Sequence, residues 1–318
     1  MIGLFQNVKN MEMLCLVVMK KLKAIWELMR LEHGVMLALA IFIGSLIALQ
    51  GRGELSLDTF PLMQFVLTFF VALFLEASTF ALNDYYDLEI DKKNKRLDRP
   101  LARGDLQPKT ALYLFYLLFP LGILCSFFVN YTCFIIALIT ALFAIVYDVY
   151  LKKIKLLSNF YIAYVMAIPF VFGAAAIENT SLLMIRIDPA VLIVAMIAFL
   201  AGSGREIMKD VMDFEGDKTS GVRSFPRYIG VRRSNIVSSL FYFLAVFLSV
   251  FPFLFPQFGV YHLNYVYLII VGATDVVFLI SAFQLLFNQD IVMARYRKLT
   301  LLGLFLGLLA FFIGAFVG

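Results

Sequence analysis

Charged residues are scarce in this sequence. Only 15% of the 318 residues are Asp, Glu, Lys or Arg, and 62% are hydrophobic. Apolar runs of about 20 residues recur along the chain, which is the length needed to cross a bilayer as a helix. The runs are continuous rather than alternating, which argues against the strands of a membrane barrel. We therefore expect an all-α polytopic membrane protein, because helices satisfy their own backbone hydrogen bonds in lipid.

Cysteine and histidine are also rare. The three cysteines, Cys15, Cys125 and Cys133, have no framework spacing, so no disulfide scaffold is expected. The two histidines, His33 and His262, make no metal motif. No cleaved signal peptide is expected, because the first apolar stretch is too short to span, its cations follow it, and no small-residue cleavage site comes after. We expect residues 1–23 to be a disordered or interfacial leader, and 24–318 to be a single transmembrane domain.

The apolar runs predict nine membrane spans. They lie at about 34–50, 60–82, 111–128, 134–151, 159–176, 189–204, 236–256, 265–287 and 299–318. With a cytoplasmic N-terminus, 25 of the 27 Lys and Arg residues fall inside, and only Arg52 and Arg186 fall outside. This asymmetry favours nine spans in the cell membrane, with the polar loops cytoplasmic and the C-terminus outside. The net charge of +5 is then a property of the cytoplasmic membrane surface and does not indicate nucleic acid as a partner.

Two polar segments that close the second and sixth spans are related. The segment NDYYDLEIDKKNKRLDRPLARG, residues 83–104, aligns with KDVMDFEGDKTSGVRSFPRYIG, residues 209–230, at an offset of 126 residues. Seven positions are identical, in the pattern D-x2-D-x-E-x-D-K-x7-P-x3-G. Because four spans separate the copies, both lie on the same side of the membrane, as in parallel repeats. The pattern predicts two four-helix halves, residues 24–158 and 159–298, plus one extra helix.

The spacing of the acidic residues predicts a magnesium site. Asn83, Asp87 and Asp91 share one face of a helix, drifting by roughly 40° per step. Asp213 and Asp217 repeat the i, i+4 spacing. If the two spans face each other, the four carboxylates would repel unless a divalent cation binds. Oxygen ligands without His or Cys favour Mg²⁺, and two or more Mg²⁺ ions bridging a diphosphate would fill their shells with phosphate oxygens.

Further polar residues lie beside these segments. Nearby cations are expected to bind the diphosphate oxygens that the metals do not reach. These cations are Arg99, Lys152, Arg205, Lys209 and Arg223. Tyr147, at the end of the fourth span, would add a hydroxyl. Supporting roles are predicted for Asp84, Asp210, Glu76 and Arg30. Asp275 lies inside the eighth span with no evident partner.

At these residues the chain resembles the UbiA superfamily of intramembrane prenyltransferases. Asn83-Asp84-x-x-Asp87-x-x-x-Asp91 is similar to the first family motif, NDxxDxxxD, and Asp213-x-x-x-Asp217 is similar to the second, DxxxD. The resemblance implies Mg²⁺-dependent transfer of an isoprenyl group from an allylic diphosphate to a lipophilic acceptor, through an allylic carbocation. It also implies that Arg99, Lys152 and Tyr147 assist, and that the metal–diphosphate is bound by Asn83, Asp87, Asp91, Asp213 and Asp217.

The identity of the acceptor stays open at this stage. The segments after both motifs look most like the branch that contains archaeal digeranylgeranylglyceryl phosphate synthases and chlorophyll synthases, so geranylgeranylglyceryl phosphate is one candidate. Ser224-Phe225-Pro226 departs from the Thr-Leu-Pro expected of the archaeal lipid enzymes, and an aromatic quinone precursor is the alternative.

Three other classes of protein also remain. A divalent-cation transporter would carry acidic residues in its spans, although usually nearer the midplane. A phosphatidyl-group transferase would be expected to begin its motif with DGxxAR, which this sequence lacks. A non-catalytic membrane scaffold would not need the paired acidic spacing.

Overall fold

The computed structural model describes residues 2–53, 61–93, 95–177, 187–214, 222–287 and 293–317, and within these ranges it contains helices and no β-strand. In chain order the α-helices are α1 Ile2–Met29, α2 Leu31–Gly51, α3 Leu62–Lys93, α4 Pro100–Arg103, α5 Pro108–Val129, α6 Tyr131–Val149, α7 Lys155–Ile177, α8 Pro189–Met212, α9 Phe225–Ile229, α10 Val231–Ser249, α11 Phe251–Leu254, α12 Tyr265–Phe287 and α13 Met293–Val317. Two 3₁₀ helices, Leu151–Lys153 and Pro256–Tyr261, join longer elements.

Nine helical segments in the described ranges are long and apolar enough to cross a membrane. They are α2, α3, α5, α6, α7, α8, α10 with α11, α12 and α13. This result confirms the all-α fold and the nine predicted spans. One boundary differs in a way that affects the site: the second span was predicted to end near residue 82, whereas α3 continues to Lys93. The first acidic segment therefore extends from the apolar region on a single helix.

The order of helix contacts is the same in the two halves of the chain. In the first half α2 packs on α3, α3 on α5, and α5 on α6. The second half repeats this order as α7 on α8, α8 on α10, and α10 on α12. The additional helix α13 packs on α12 and also reaches α2 and α8. The halves meet directly where α2 crosses α7.

The two related polar segments end in a similar way. Each ends in a short helix with a buried proline in its first turn, Pro100 in α4 and Pro226 in α9. Each short helix ends at a glycine with a positive φ, 83° at Gly104 and 82° at Gly230. The matching prolines and glycines, at an offset of 126 residues, therefore occupy corresponding places at the start and end of these short helices.

Two glycines allow α2 and α7 to cross closely. A Cβ atom at Gly44 would overlap the backbone carbonyl of Phe170, and one at Gly173 would overlap the carbonyl of Ile41. Ser45 holds the crossing together, because its Oγ donates a hydrogen bond to the Gly173 carbonyl at 2.8 Å. The contacts are reciprocal, as expected if an axis near this crossing relates the two predicted halves.

The predicted leader is part of a helix. Because α1 continues to Met29, the expected boundary at residues 23/24 falls inside a regular element. The Lys20 Nζ lies 3.0 Å from the Asp105 Oδ1, and the Arg103 Nη2 lies 2.6 Å from the Glu27 Oε2. These two ion pairs connect α1 to α4 and to the residues after α4. Hydrogen bonds from Arg103 and Lys20 lower the pKa of Asp105, so its carboxylate is ionised at neutral pH. α1 also exposes large apolar side chains such as Trp26, which suits the interfacial location that we predict.

Replacing Gly44 or Gly173 by Ala should destabilise the protein, because the added methyl group would push two helix backbones apart. Overpacking of this kind costs about 1–3 kcal/mol, which should lower the midpoint of thermal unfolding in detergent. Gly272→Ala is the matched control, since Gly272 also lies in a helix but an added Cβ would meet no atom within 4 Å. An unchanged midpoint for both test variants would contradict the close crossing of α2 and α7.

Candidate functional site

The first polar cluster lies where α3 meets the end of α6. The Asn83 Nδ2 donates a hydrogen bond to the Asp148 Oδ1 at 2.7 Å, and the Lys152 Nζ donates to the Asp87 Oδ1 at 2.8 Å. Lys152 is also 3.7 Å from Asp148. Because Asn83 and Asp87 are one turn apart, their side chains lie on the same side of α3. We call these four residues the α3–α6 cluster.

A buried carboxylate anchors the polar end of α3. Asp84 is only 2% exposed and pairs with the Arg30 guanidinium and, at 3.2 Å, with the Arg99 Nη1. Arg30 lies between α1 and α2 with a left-handed backbone, φ 46° and ψ 50°, and its guanidinium is 4.3 Å from the centroid of the Phe80 ring. These contacts fix the start of α2 and the residue before α4 against α3.

Asp210 has the corresponding position in the second half. It is also 2% exposed, and it accepts hydrogen bonds from the Asn159 Nδ2 at 2.8 Å and from the Phe225 backbone nitrogen at 3.3 Å. The Lys155 Nζ lies 3.6 Å away. Asp210 therefore joins the start of α7 and the start of α9 to α8, as Asp84 does for its own half.

A second polar cluster lies on α8. Glu206 is buried, and it accepts hydrogen bonds from the Lys209 Nζ at 2.6 Å and from the Arg205 Nη1 at 3.2 Å. One carboxylate thus serves two cations whose partners the sequence did not reveal. We call these three residues the α8 cluster.

Tyr147 connects the two clusters. Its ring stacks on Tyr161 of α7, with centroids 4.9 Å apart. Tyr147 is also close enough to Asp87, Asp148 and Glu206 to interact with them electrostatically. The α3–α6 cluster and the α8 cluster therefore both lie near this stacked tyrosine pair.

The structure brings some of the predicted site residues together and separates others. Asn83, Asp87, Lys152 and Tyr147 are neighbours, as described above. Arg205 and Lys209, which were expected to face a diphosphate, are held by Glu206 in this structure.

The second motif differs from its expected geometry. Its spacing suggested a pair on one helical face, but α8 ends at Met212, so Asp213 is an exposed residue just past the helix. Asp217 lies outside the described residues. The convergence of the two motifs therefore stays a prediction.

The other predicted residues have varied surroundings. Asp91 is buried at the end of α3, where its backbone carbonyl accepts a hydrogen bond from the Arg96 nitrogen at 2.9 Å. Arg223 is exposed and precedes α9. Glu76 is half-buried in the interior of α3. Asp275 has a partner that the sequence did not reveal, since it accepts a hydrogen bond from the Ser249 Oγ at 2.7 Å.

Sequence reasoning missed two carboxylates, Asp148 and Glu206. Both are buried near the end of a span, and each pairs with a predicted cation. The signal was available, because Asp148 is four residues before Lys152 and Glu206 is three before Lys209, and a helix brings such pairs together.

The side chains present fit a magnesium–diphosphate group. Among the described residues, no three His, Cys, Asp or Glu side chains form a ready metal cluster. Asn83 and Asp87 nevertheless offer the oxygen ligands that Mg²⁺ prefers. The Nε atoms of Arg99 and Arg205 are buried donors without a hydrogen-bond partner among the described residues, and a phosphate oxygen would satisfy such a donor.

The fold and the site together define a class of protein: a helical bundle of candidate membrane spans with amide, carboxylate and cationic groups collected at one end. The sequence comparisons agree with this class. The model of the UbiA prenyltransferase family matches residues 37–302. The chain is 41% identical over 304 residues to the digeranylgeranylglyceryl phosphate synthase of Archaeoglobus fulgidus, covering 93% of this chain and 96% of that protein. Identity to the synthase of the same name from Methanosarcina mazei is 35% over 293 residues, covering 91% and 96%.

Solved structures have the same architecture. A structure from work on digeranylgeranylglyceryl phosphate synthase in membranes superposes with a TM-score of 0.74 at 33% identity, over 93% of this chain and 98% of that one. A UbiA homolog from Aeropyrum pernix K1 superposes with a TM-score of 0.70 at 20% identity, over 90% and 98%, and supports the fold alone.

The chain belongs to the UbiA prenyltransferase family. It is a multi-pass membrane prenyltransferase, as the motif resemblance predicted. This membership sets aside the cation transporter, the phosphatidyl-group transferase and the scaffold.

Asp148→Ala should lower prenyl-transfer activity, because the Asn83 amide loses the acceptor that orients it. Loss of such a supporting partner typically reduces metal affinity or activity by about 10–100-fold, which can be measured as a higher Mg²⁺ requirement. Asp148→Asn keeps an acceptor oxygen for Asn83 and should retain more activity. Equal losses in the two variants would show that the charge of Asp148, rather than its hydrogen bond, is what matters.

Proposed function

We propose that this chain is a digeranylgeranylglyceryl phosphate synthase. It transfers a geranylgeranyl group from geranylgeranyl diphosphate to the hydroxyl group of geranylgeranylglyceryl phosphate and forms an ether. The observation that carries the proposal is similarity over nearly the full length to synthases of that name, at 41% and 35% identity. The polar clusters at one end of an apolar bundle support it, because both substrates join a charged head to a long hydrocarbon tail.

The first motif provides the donor site of the proposed enzyme. Asn83, Asp87 and Asp91 lie on α3, and Asp213 follows α8. With Asp217 they would hold the magnesium–diphosphate. When bound, Mg²⁺ supplies positive charge that stabilises the diphosphate as the allylic C–O bond breaks. The Asn83–Asp148 hydrogen bond presets the direction of the Asn83 amide before substrate arrives.

Cationic side chains provide the second part of the donor site. In this structure Lys152 neutralises Asp87 at 2.8 Å, so its ammonium is positioned to change partner to a phosphate oxygen when the donor binds. Arg99 and Arg205 each have a buried Nε that lacks a hydrogen-bond partner among the described residues. Lys209 and Arg223 would extend this cationic surface on the α8 side. Preorganised positive charge of this kind favours departure of the diphosphate.

The apolar part of the bundle would protect the reacting carbon. An allylic cation is hydrolysed if water reaches it, so the prenyl chain needs a dry environment. The stacked Tyr147 and Tyr161 rings lie next to the polar clusters, where their faces would stabilise a nearby cation.

The departure at Ser224-Phe225-Pro226 is compatible with this acceptor. The described contact of the segment with Asp210 uses the backbone nitrogen of Phe225, and any residue other than proline can supply that nitrogen. An aromatic quinone precursor is the alternative acceptor, and an assay with both acceptors distinguishes the two.

Asp87→Asn should abolish transfer while leaving the protein folded, because the amide is a poorer metal ligand and no longer pairs with the Lys152 ammonium. The assay incubates purified protein with Mg²⁺, radiolabelled geranylgeranyl diphosphate and geranylgeranylglyceryl phosphate, and measures ether product and released diphosphate. Glu89→Gln is the matched control, because Glu89 is on the same helix with a side chain that is 84% exposed. This variant should transfer like the wild type.

Two results would contradict the proposal. If wild-type protein prenylates an aromatic acceptor but not geranylgeranylglyceryl phosphate, the acceptor is wrong. If Asp87→Asn retains wild-type activity, the donor site is wrong.

We further propose that the polar clusters and the N-terminus face the cytoplasm, as the distribution of Lys and Arg residues predicts. Cys15 is a natural reporter, because it is exposed on α1, whereas Cys133 is buried. A membrane-impermeant maleimide should label Cys15 in inverted vesicles and leave it unlabelled in right-side-out vesicles. Cys15→Ser controls for labelling of Cys125. Labelling in right-side-out vesicles alone would reverse the assigned orientation.

A further inference from the structure

Glu76 is a carboxyl group inside a candidate membrane span, and none of the described residues pairs with its side chain. It lies in the interior of α3, and within the described part of the chain its side chain makes no hydrogen bond and no ion pair within 4 Å. Other carboxyl groups in the spans have partners: Asp84 binds Arg30, Asp148 binds Asn83, and Asp275 binds Ser249. An ionisable group without a partner is costly in a membrane interior and usually has a function.

Glu76 shares a helical face with the proposed donor site. It precedes Asn83 by seven residues and Asp87 by eleven, and both separations bring a helical residue back to within about 20° of the same direction. Seven residues correspond to about 10 Å along the axis. Glu76 is therefore on the side of α3 that carries Asn83 and Asp87, but deeper in the apolar region.

Groups from other elements surround this carboxyl group. Arg30, between α1 and α2, and Tyr161, on α7, both interact with it electrostatically. Tyr161 is the ring that stacks on Tyr147 beside the α3–α6 cluster. Glu76 is half-buried, so its carboxyl group is near residues of two other parts of the bundle and is not enclosed by packing.

The proposed reaction needs a base at such a position. An acceptor hydroxyl must lose its proton as its oxygen bonds to the donor carbon, and a side chain close to that oxygen can accept the proton directly. The nearby carboxylates at the polar end have other partners, since Asp87 accepts from Lys152 and Asp148 accepts from Asn83. The Glu76 carboxylate is a base, and none of the described residues binds its oxygens. It also lies deeper in the apolar region than the proposed diphosphate site.

We propose that Glu76 is the catalytic base that accepts the proton of the acceptor hydroxyl; this inference rests on the proposed function. The bond between the allylic carbon and the diphosphate oxygen breaks, and its electron pair leaves with diphosphate. The hydroxyl oxygen then uses a lone pair to form the ether bond to that carbon. The hydroxyl proton passes to a Glu76 Oε atom and returns to solvent after product release.

Glu76→Gln tests this role, because the amide fills the same volume but does not accept the proton. With full-length protein, Mg²⁺, geranylgeranyl diphosphate and geranylgeranylglyceryl phosphate, the kcat for ether formation should fall by about 10²–10⁴-fold, the usual contribution of a general base. The KM for the donor should change little. Release of diphosphate with geranylgeraniol as the alcohol product should persist, because donor ionisation does not need Glu76.

Two further variants separate catalysis from folding. Glu76→Asp keeps a carboxylate one methylene shorter, so it should retain part of the activity and the acidic limb of the pH–rate profile, which Glu76→Gln should lose. Asp275→Asn is the matched control, since it also changes a carboxyl group to an amide inside a span, and Asn can still accept from Ser249. This control should transfer at the wild-type rate.

The proposal is overturned if Glu76→Gln forms ether at the wild-type rate with an unchanged pH profile. Parallel loss of ether formation and of diphosphate release would assign Glu76 to the donor side, and failure of both Glu76 variants to fold would make it structural; either result also overturns the proposal. The proposed function fails separately, if wild-type protein makes no ether from these two substrates.

Discussion

A carboxylate that is buried away from water must be paired with cations or hydrogen-bond donors. The arrangement of the polar end depends on how Asp84 and Asp210 meet this requirement. Each is almost fully buried, and each is bound by the segment that begins its half of the bundle and by the segment that follows its own helix. Removing one partner of a buried ion pair typically costs about 3–5 kcal/mol. These two residues therefore hold the ends of α3 and α8, and with them the proposed site, in a fixed position.

The two halves use this shared frame for different chemistry. At the position where α3 carries Asn83, the offset of 126 residues gives Lys209 in α8. Asn83 is joined to Asp148 and presents an oxygen, whereas Lys209 is joined to Glu206 and presents positive charge. At this position the first half thus offers an oxygen ligand and the second half offers a cation. A diphosphate bound with a divalent cation would use both kinds of group.

The sequence predicted the architecture better than it predicted the partners. Nine apolar runs and the positions of the Lys and Arg residues between them were enough to predict the fold. Bilayer thickness and backbone hydrogen bonding leave few alternative structures for such a chain. Spacing also placed Asn83 and Asp87 correctly on one helix. Spacing does not state which group a side chain binds, so Glu206 went unnoticed between Arg205 and Lys209.

Tertiary contacts also decide local conformations that the sequence does not reveal. The left-handed conformation of Arg30 is uncommon for a residue other than glycine. It depends on contacts with Asp84 and Phe80, which are more than 45 positions away in the chain. The end of α8 at Met212 is a similar case, since the i, i+4 spacing of Asp213 and Asp217 suggested a continuing helix.

The left-handed turn at Arg30 has a practical consequence for handling this protein. The angle between α1 and α2 is set by a residue whose guanidinium binds Asp84. A fusion partner or affinity tag attached ahead of α1 could shift α1, and Arg30 would transmit this shift to the proposed substrate site. A tag placed after α13 avoids this effect. Kinetic measurements on N-terminally tagged protein should be compared with protein from which the tag has been cleaved.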